Sequence, residues 1–307
     1  MDGALPEVFR HLNWANVALL DYCARLDTES LDTGSPGTYG SIRETLHHLV
    51  AAEEGYCNRV TGERPAEALG DSPAPLEELR GRMVALGPRW ESVLANPTVA
   101  GNEFTTGDGW IVAGVVVMVQ AIHHAAEHRG HVLSILGARG LPVPDLSMWA
   151  YGQSRGLLRI DPNRRYAARV RTTRGDFTIQ LTDSAAADKS VNRFVYLARD
   201  EFYDGLPFHR VMPGRLVQGG DGMREGAVLP SLGPAGVGPG AWPRGSVGLA
   251  SRGDLKSGSQ FFVTLSDGVL LGSTETYAQI GEVSSGLDVV EAIESGDVIE
   301  SVEISAL

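Results

Sequence analysis

The sequence predicts a multidomain α + β protein: a four-helix bundle over residues 1–145, a linker over 146–166 and an antiparallel β-barrel over 167–307. Three observations carry that reading. Apolar residues recur at helical spacing, with no convincing strand, from about Leu5 to Gly140. From Tyr166 the period drops to two, and short β-branched or aromatic runs broken by glycines take over. Between the two regimes, Leu141-Pro142-Val143-Pro144 stops the last helix, and no periodic element is visible from 145 to about 166.

In the first region, Val8, Leu12, Ala15, Leu19, Tyr22 and Leu26 trace one helical stripe. A Gly/Ser/Pro break from Gly34 to Gly40 follows, and Ser41 opens a second helix with Glu44 three residues on, the capping-box spacing. Leu76, Leu79, Met83, Leu86, Trp90 and Leu94 mark a third, which Pro88 is expected to bend or restart. A polar or extended link, Thr98 to Gly109, leads to a fourth helix expected from about Trp110 to Gly137. Four such stripes bury one another as a bundle, and the long link before the last helix permits a connectivity other than up-and-down.

In the second region, Ala168, Val170 and Thr172 alternate with Arg169 and Arg171, and Gly175-Asp176 turns the chain into a second strand, Phe177 to Leu181. Ser190 to Arg199 and Gly286 to Ile293 read as short helices, Gly222 to Arg244 as a long Gly/Pro loop, and Val298 to Ile304 as the closing strand. Many short strands with two helices fit a closed barrel, because closure removes exposed edges.

With 43% apolar and 21% charged residues the chain reads as soluble and globular, and its net charge of −12 argues against nucleic acid as a main partner. The arginines from Arg159 to Arg174 read as an exposed face rather than a phosphate-binding patch. No signal-peptide pattern is visible, and the apolar run Ile111 to Ile122 is too short to cross a bilayer, so no membrane partner is expected. Cys23 and Cys57 lack zinc spacing and are expected as free buried thiols, which points to the cytoplasm.

Two constellations carry chemistry. Arg210, Gln218, Gln260 and Phe262 fall on two glycine-punctuated strand stretches and form one candidate pocket: a fixed cation, two amides and an aromatic wall. His124 and His128 stand four apart on one helix, with His131 a turn later, and His48 on the second helix can supply a third nitrogen to a divalent ion. Such an ion would lower the pKa of bound water or of an incoming thiol. Glu53 and Glu127 are unranked acid–base candidates.

The motifs behind both constellations resemble known families. Phe208-His209-Arg210-Val211-Met212-Pro213-Gly214, Gln218-Gly219-Gly220-Asp221, Gly258-Ser259-Gln260-Phe261-Phe262 and Ile280-Gly281-Glu282-Val283 resemble the cyclophilin-type peptidyl-prolyl isomerases in order and spacing, as does Asn192 to Ala198 leading into Phe202-Tyr203-Asp204-Gly205. That resemblance implies an eight-stranded antiparallel barrel with two capping helices, and no cofactor for isomerisation. It implies proline-containing peptides or proteins as partners and Arg210 as the catalytic arginine. It further implies Gln218 and Gln260 as substrate-binding amides, Phe262 in the proline pocket, and Leu216, Ala250, Ser251 and Tyr277 around the bound peptide. Arg215 departs from the pattern, standing where a pocket phenylalanine is usual, and the implied alternative is a proline-peptide-binding module with weak or no turnover.

Trp14-Ala15-Asn16, Gly40-Ser41-Ile42, Leu46-His47-His48-Leu49 and His124 to His131 resemble the DinB/YfiT-like family. This implies a four-helix bundle holding a divalent metal such as Zn, Ni or Fe through His48, His124 and His128. It also implies a low-molecular-weight thiol as a partner for a metal- and thiol-dependent transferase, isomerase or hydrolase activity. His131 replaces a usual glutamine and offers a further nitrogen.

Overall fold

Capping and length set the helices of the first half in the computed structural model, which describes residues 3–63, 68–96, 98–106, 109–141, 143–182, 184–222, 242–252, 255–268 and 277–307. Helix α1 (Ala4–Cys23) is followed by the single turn α2 (Thr28–Leu31), then α3 (Ile42–Thr61), α4 (Leu76–Ala95) and α5 (Gly114–Ala138). Helix α3 starts on the expected capping box: Glu44 N–H donates to Ser41 Oγ at 3.3 Å, and Ser41 N–H donates to Glu44 Oε2 at 2.8 Å. Helix α1 packs on α4 and α5, and α3 packs on the same two, so the chain-consecutive pair α1 and α3 sit diagonally. The diagonal links, 24–41 and 96–113, are longer than 62–75, which joins neighbours.

The structure differs from expectation at the third-to-fourth helix link and in the stretch before residue 166. The region does hold strands: β1 (Glu103–Thr105) pairs antiparallel with β2 (Ile111–Ala113), and α5 starts only at Gly114. The β-branched Ile111 and Val112 accept extended backbone, and a Cβ at residue 114 would meet Val99 O at 2.0 Å, so glycine marks the change of direction. Pro88 does not restart α4, which runs through it as one helix. Asn13 of α1 donates to Met83 O at 2.6 Å, five residues before that proline. The stretch expected to be aperiodic holds α6 (Met148–Arg155), too short to show a period but started by Ser147, whose Oγ accepts from Ala150 N–H at 3.2 Å.

The chain divides into two compact units, Met1–Tyr151 and Gly152–Leu307. The second contains β3 (Tyr166–Thr172), β4 (Gly175–Leu181), α7 (Ser184–Arg199), β5 (Arg210–Met212), β6 (Leu216–Gly219), β7 (Ser246–Arg252), β8 (Leu255–Thr264), β9 (Ala278–Ser285), α8 (Leu287–Glu291) and β10 (Ile299–Ala306). Helix α7 thus begins six residues before the expected Ser190. The eight strands form one antiparallel sheet in the order β10-β3-β4-β9-β7-β8-β6-β5. Its edge strands close through the segments that lead into them: Pro207 bridges to Val298, Phe208 N–H donates to Asp297 O at 2.8 Å, and Ile299 N–H donates to Leu206 O at 2.9 Å.

Strand alternation divides the sheet's two faces. Phe177, Ile179, Val217, Val247, Leu249, Phe261, Val263 and Ile280 are buried in one core with Phe194 and Val195 of α7 and Val290 of α8. The intervening positions of β6, β8 and β7 point the other way. The arginines of the expected exposed face pair with acids: Arg169 with Asp176, Arg171 with Glu303, and Arg174 with Glu294 and Asp297. Cys23 and Cys57 are free and buried. No described helix is long and apolar enough to cross a membrane.

Candidate functional site

Cross-strand register builds the barrel site. Arg210 of β5 lies opposite Gln218 of β6, Gln218 opposite Phe262 of β8, and Phe262 opposite Gly248 of β7, one row across four strands. Gln260, two residues before Phe262, shares its face. Arg210 Nη1 donates to Gln218 Oε1 at a long 3.4 Å, and Gln218 Nε2 donates to Gln260 Oε1 at 2.9 Å. Arg210 is exposed, the two glutamines are half-buried and Phe262 is buried. A cation at the rim therefore faces a chain of oriented amides beside an apolar floor.

That floor has a member the sequence reading missed. Trp242 is 2% exposed and stacks on Phe262 with ring centroids 5.4 Å apart. Tyr277 stands edge-on to both, at 5.3 Å from Phe262 and 6.3 Å from Trp242, and Ala250 is buried in the same cluster. Gly248 makes room for this: a Cβ there would lie 2.3 Å from Trp242 and 2.8 Å from Phe262. A lone tryptophan just ahead of a Gly-containing strand was the available signal.

Leu216 is buried, opposite Met212 and Thr264. Ser251 pairs through its backbone with Lys256, and its side chain lies outside the described residues. So does most of the Gly/Pro loop, residues 223–241, and the stretch 269–276 before Tyr277. Arg215 is exposed in the β5–β6 turn, where its N–H donates to Met212 O at 2.9 Å and Gly214 takes a φ of 67°. His209 is half-buried; burial holds its imidazole below the ordinary range, and its Nδ1 has no hydrogen-bond partner.

In the bundle, His48 of α3 meets His124 and His128 of α5. One ring nitrogen from each lies within 4.8 Å of the other two, and the Nε2 atoms of His48 and His124 are 3.0 Å apart. Burial, reinforced by the neighbouring imidazoles, lowers all three pKa values, that of His128 to about 4. The rings are thus neutral near pH 7, the state a metal ligand needs. Tyr39, a second residue the sequence reading missed, stacks on His48 at 4.1 Å and meets His128 edge-on at 5.1 Å, while Tyr56 flanks His124 at 5.6 Å. His131 lies edge-on to His128 at 5.2 Å, and its buried Nδ1 has no hydrogen-bond partner.

The two acid–base candidates part company. Glu127 is exposed. Glu53 is buried and accepts from Trp90 Nε1 at 2.8 Å, while its Oε2 has no hydrogen-bond partner. Burial pushes its carboxyl up to about 8, against opposing pulls from that hydrogen bond and from Arg129. Arg129 is itself buried, lowered to about 10 by desolvation, and donates to Asn16 Oδ1 at 2.7 Å. Glu53 therefore belongs to a polar cluster inside the bundle.

Comparison with known proteins matches both halves. The family described as cyclophilin type peptidyl-prolyl cis-trans isomerase/CLD matches residues 167–306, and the DinB family matches residues 1–160. A peptidyl-prolyl cis-trans isomerase of Helicobacter pylori (strain ATCC 700392 / 26695) is 35% identical over 144 residues, covering 45% of this chain and 86% of that protein. One from Synechococcus elongatus is 35% identical over 136 residues, covering 44% and 93%. The crystal structure of cyclophilin AquaCyp293 from Hirschia baltica aligns at 20% identity and a TM-score of 0.37, covering 48% of this chain and 75% of that one.

Proposed function

We propose that this chain, which belongs to the cyclophilin-type peptidyl-prolyl cis-trans isomerase family through residues 167–306 and to the DinB family through residues 1–160, turns X–Pro bonds with Arg210 and holds a divalent ion with His48, His124 and His128. The observation that carries the isomerase reading is the Arg210–Gln218–Gln260 chain of side chains beside the Phe262–Trp242–Tyr277 cluster.

Rotation about an X–Pro bond gives up amide resonance, against a barrier of about 20 kcal/mol. It needs neither nucleophile nor cofactor. As resonance is lost the proline nitrogen becomes more basic, and a guanidinium placed over it stabilises the twisted amide more than the planar one. Arg210 is that donor. Gln218 and Gln260 hold the flanking peptide carbonyls, and the pyrrolidine ring rests on Phe262 with Leu216, Ala250, Ser251 and Tyr277 around the peptide. The exposure of Arg215 supports an open groove, since that side chain leaves the apolar floor to Trp242, Tyr277 and Phe262. Cis-to-trans relaxation of a short X–Pro peptide, compared between wild type and Arg210→Ala, tests this. An arginine-dependent rate supports it, whereas equal, near-zero rates leave a peptide-binding module.

The bundle's histidines fit a metal. Three neutral imidazoles converge, one ring nitrogen of each lying within 4.8 Å of the other two. Ligand nitrogens 2.0–2.1 Å from a tetrahedral ion sit about 3.3 Å from each other, close to the His48–His124 spacing. A bound ion would act as a Lewis acid on water or substrate. The residues' own part is to present uncharged nitrogens and, through Tyr39, to hold the His48 ring in place. Metal analysis of chelator-free protein tests the site; stoichiometric metal that persists in His124→Ala would overturn it.

A further inference from the structure

Residues 152–160, which include the end of helix α6, precede the part of the chain that matches the isomerase family, yet they are hydrogen-bonded into it. Asn192 of α7 brackets this segment with two hydrogen bonds: Ile160 N–H donates to its Oδ1 at 2.9 Å, and its Nδ2 donates to Leu158 O at 2.9 Å. Its neighbour Arg193 is 4% exposed and donates through Nη1 to Gln153 Oε1 of α6 at 2.8 Å. Through Nε the same guanidinium donates to Gly258 O of β8 at 3.2 Å. Gln153 is 1% exposed. Next along β8, Tyr203 Oη donates to Ser259 O at 3.1 Å. Two buried donors thus hold the carbonyls of the two residues immediately before Gln260.

We propose that Gln153 and Arg193 are positioning residues of the isomerase site: Gln153 fixes Gly258 of β8 through the Arg193 guanidinium and thereby sets the Gln260 amide. The proposal rests on the isomerase reading above and adds to it a segment that lies before the isomerase family's match. The chemistry favours this role over simple core filling. A buried guanidinium leaves water only where acceptors replace the lost hydration. Gln153 supplies one at the cost of burying its own Nε2 without a hydrogen-bond partner. The amide is fixed by that arrangement, since a flip would set a donor against a donor. Loss of Gln153 removes this acceptor from Nη1, and any turn of the planar fork that follows moves Nε relative to Gly258 O.

The test uses the full chain with Gln153→Leu, which keeps the volume and removes the acceptor, and Gln153→Glu, which restores it. Three readouts are taken: KM and kcat on an X–Pro peptide, the side-chain amide resonances of Gln260, and the melting temperature. The expected result for Gln153→Leu is a KM raised about three- to tenfold, the span for one lost hydrogen bond, with kcat held within about twofold and displaced Gln260 resonances. Gln153→Glu returns both to near wild type. A Gln153→Leu variant with unchanged KM and Gln260 resonances overturns the proposal, whatever its melting temperature. So does a Gln153→Glu variant no better than Gln153→Leu. A wild type without turnover sinks the isomerase reading instead, and the Gln260 resonances still decide the role of Gln153.

Discussion

The two candidate sites are assembled in opposite ways. In the bundle, two of the three histidines come from one helix at i and i+4, and one helix contact brings His48 to them. The resulting site is partly buried, and that burial lowers the pKa of its imidazoles. In the barrel, Arg210, Gln218, Phe262 and Gly248 come from four strands and meet only through sheet register. There the cation stays in solvent and the apolar floor alone is dry. The contrast follows the chemistry. Binding an ion favours uncharged nitrogens out of water, whereas stabilising a twisting amide requires a charged donor at the rim and a dry seat for a ring.

That contrast predicts different sensitivities. The largest effect is expected at Arg210: replacement by alanine should lower kcat/KM on an X–Pro peptide by about 100- to 1,000-fold, the scale for removing one preorganised donor, while peptide affinity changes far less. Equal losses in affinity and turnover would make Arg210 a binding residue only. In the bundle, His124→Ala should weaken zinc binding by more than about 100-fold in a competition titration, beyond the usual effect of losing a group that merely supports a ligand. Isomerase rates should be untouched by that change.

Smaller effects sharpen the same comparison. Burial raises the Glu53 carboxyl from its ordinary 4.5 to about 8, so between those values the folded bundle binds a proton that the unfolded chain has released. Its contribution is fully present below about pH 4.5 and is lost as pH rises through about 8. Wild type should therefore lose stability from pH 6 to 9, and Glu53→Gln should reduce that loss by about 1–2 kcal/mol in chemical denaturation. Parallel pH profiles would show that the carboxyl is already ionised in the folded bundle. Smallest is the surface charge at Arg215: peptides with an acidic residue beside the proline should be preferred by about two- to fivefold at low salt, with the preference gone in high salt or in Arg215→Ala.

Particular residues show how far the sequence could be read. Helix α3 was legible to its first residue because Ser41 and Glu44 cap it locally, and the His124–His128 pair was legible because helical spacing puts both on one side, whereas His48 meets them only through the packing of α3 on α5. The β1–β2 hairpin was not. The apolar run from Ile111 to Ile122 reads as one stretch, and only the close approach of Val99 O to Gly114 marks where its extended start gives way to helix. Helix α6 escaped because eight residues show no period. Trp242 escaped because it precedes β7 and meets its partner Phe262 only once β7 and β8 are paired.

By itself, then, the sequence determined what depends on neighbours along the chain: the change from helical to strand period, the caps, the i, i+4 histidines and the glycine-flanked strand motifs. Tertiary structure alone decided what depends on residues distant in the chain. It set the diagonal order of the bundle helices, the stacking of Tyr39 on His48, the Trp242 floor and the link from Gln153 to β8. The physical reason is that backbone preference acts over a few residues, whereas burial and register are settled only when separate elements compete for the same space.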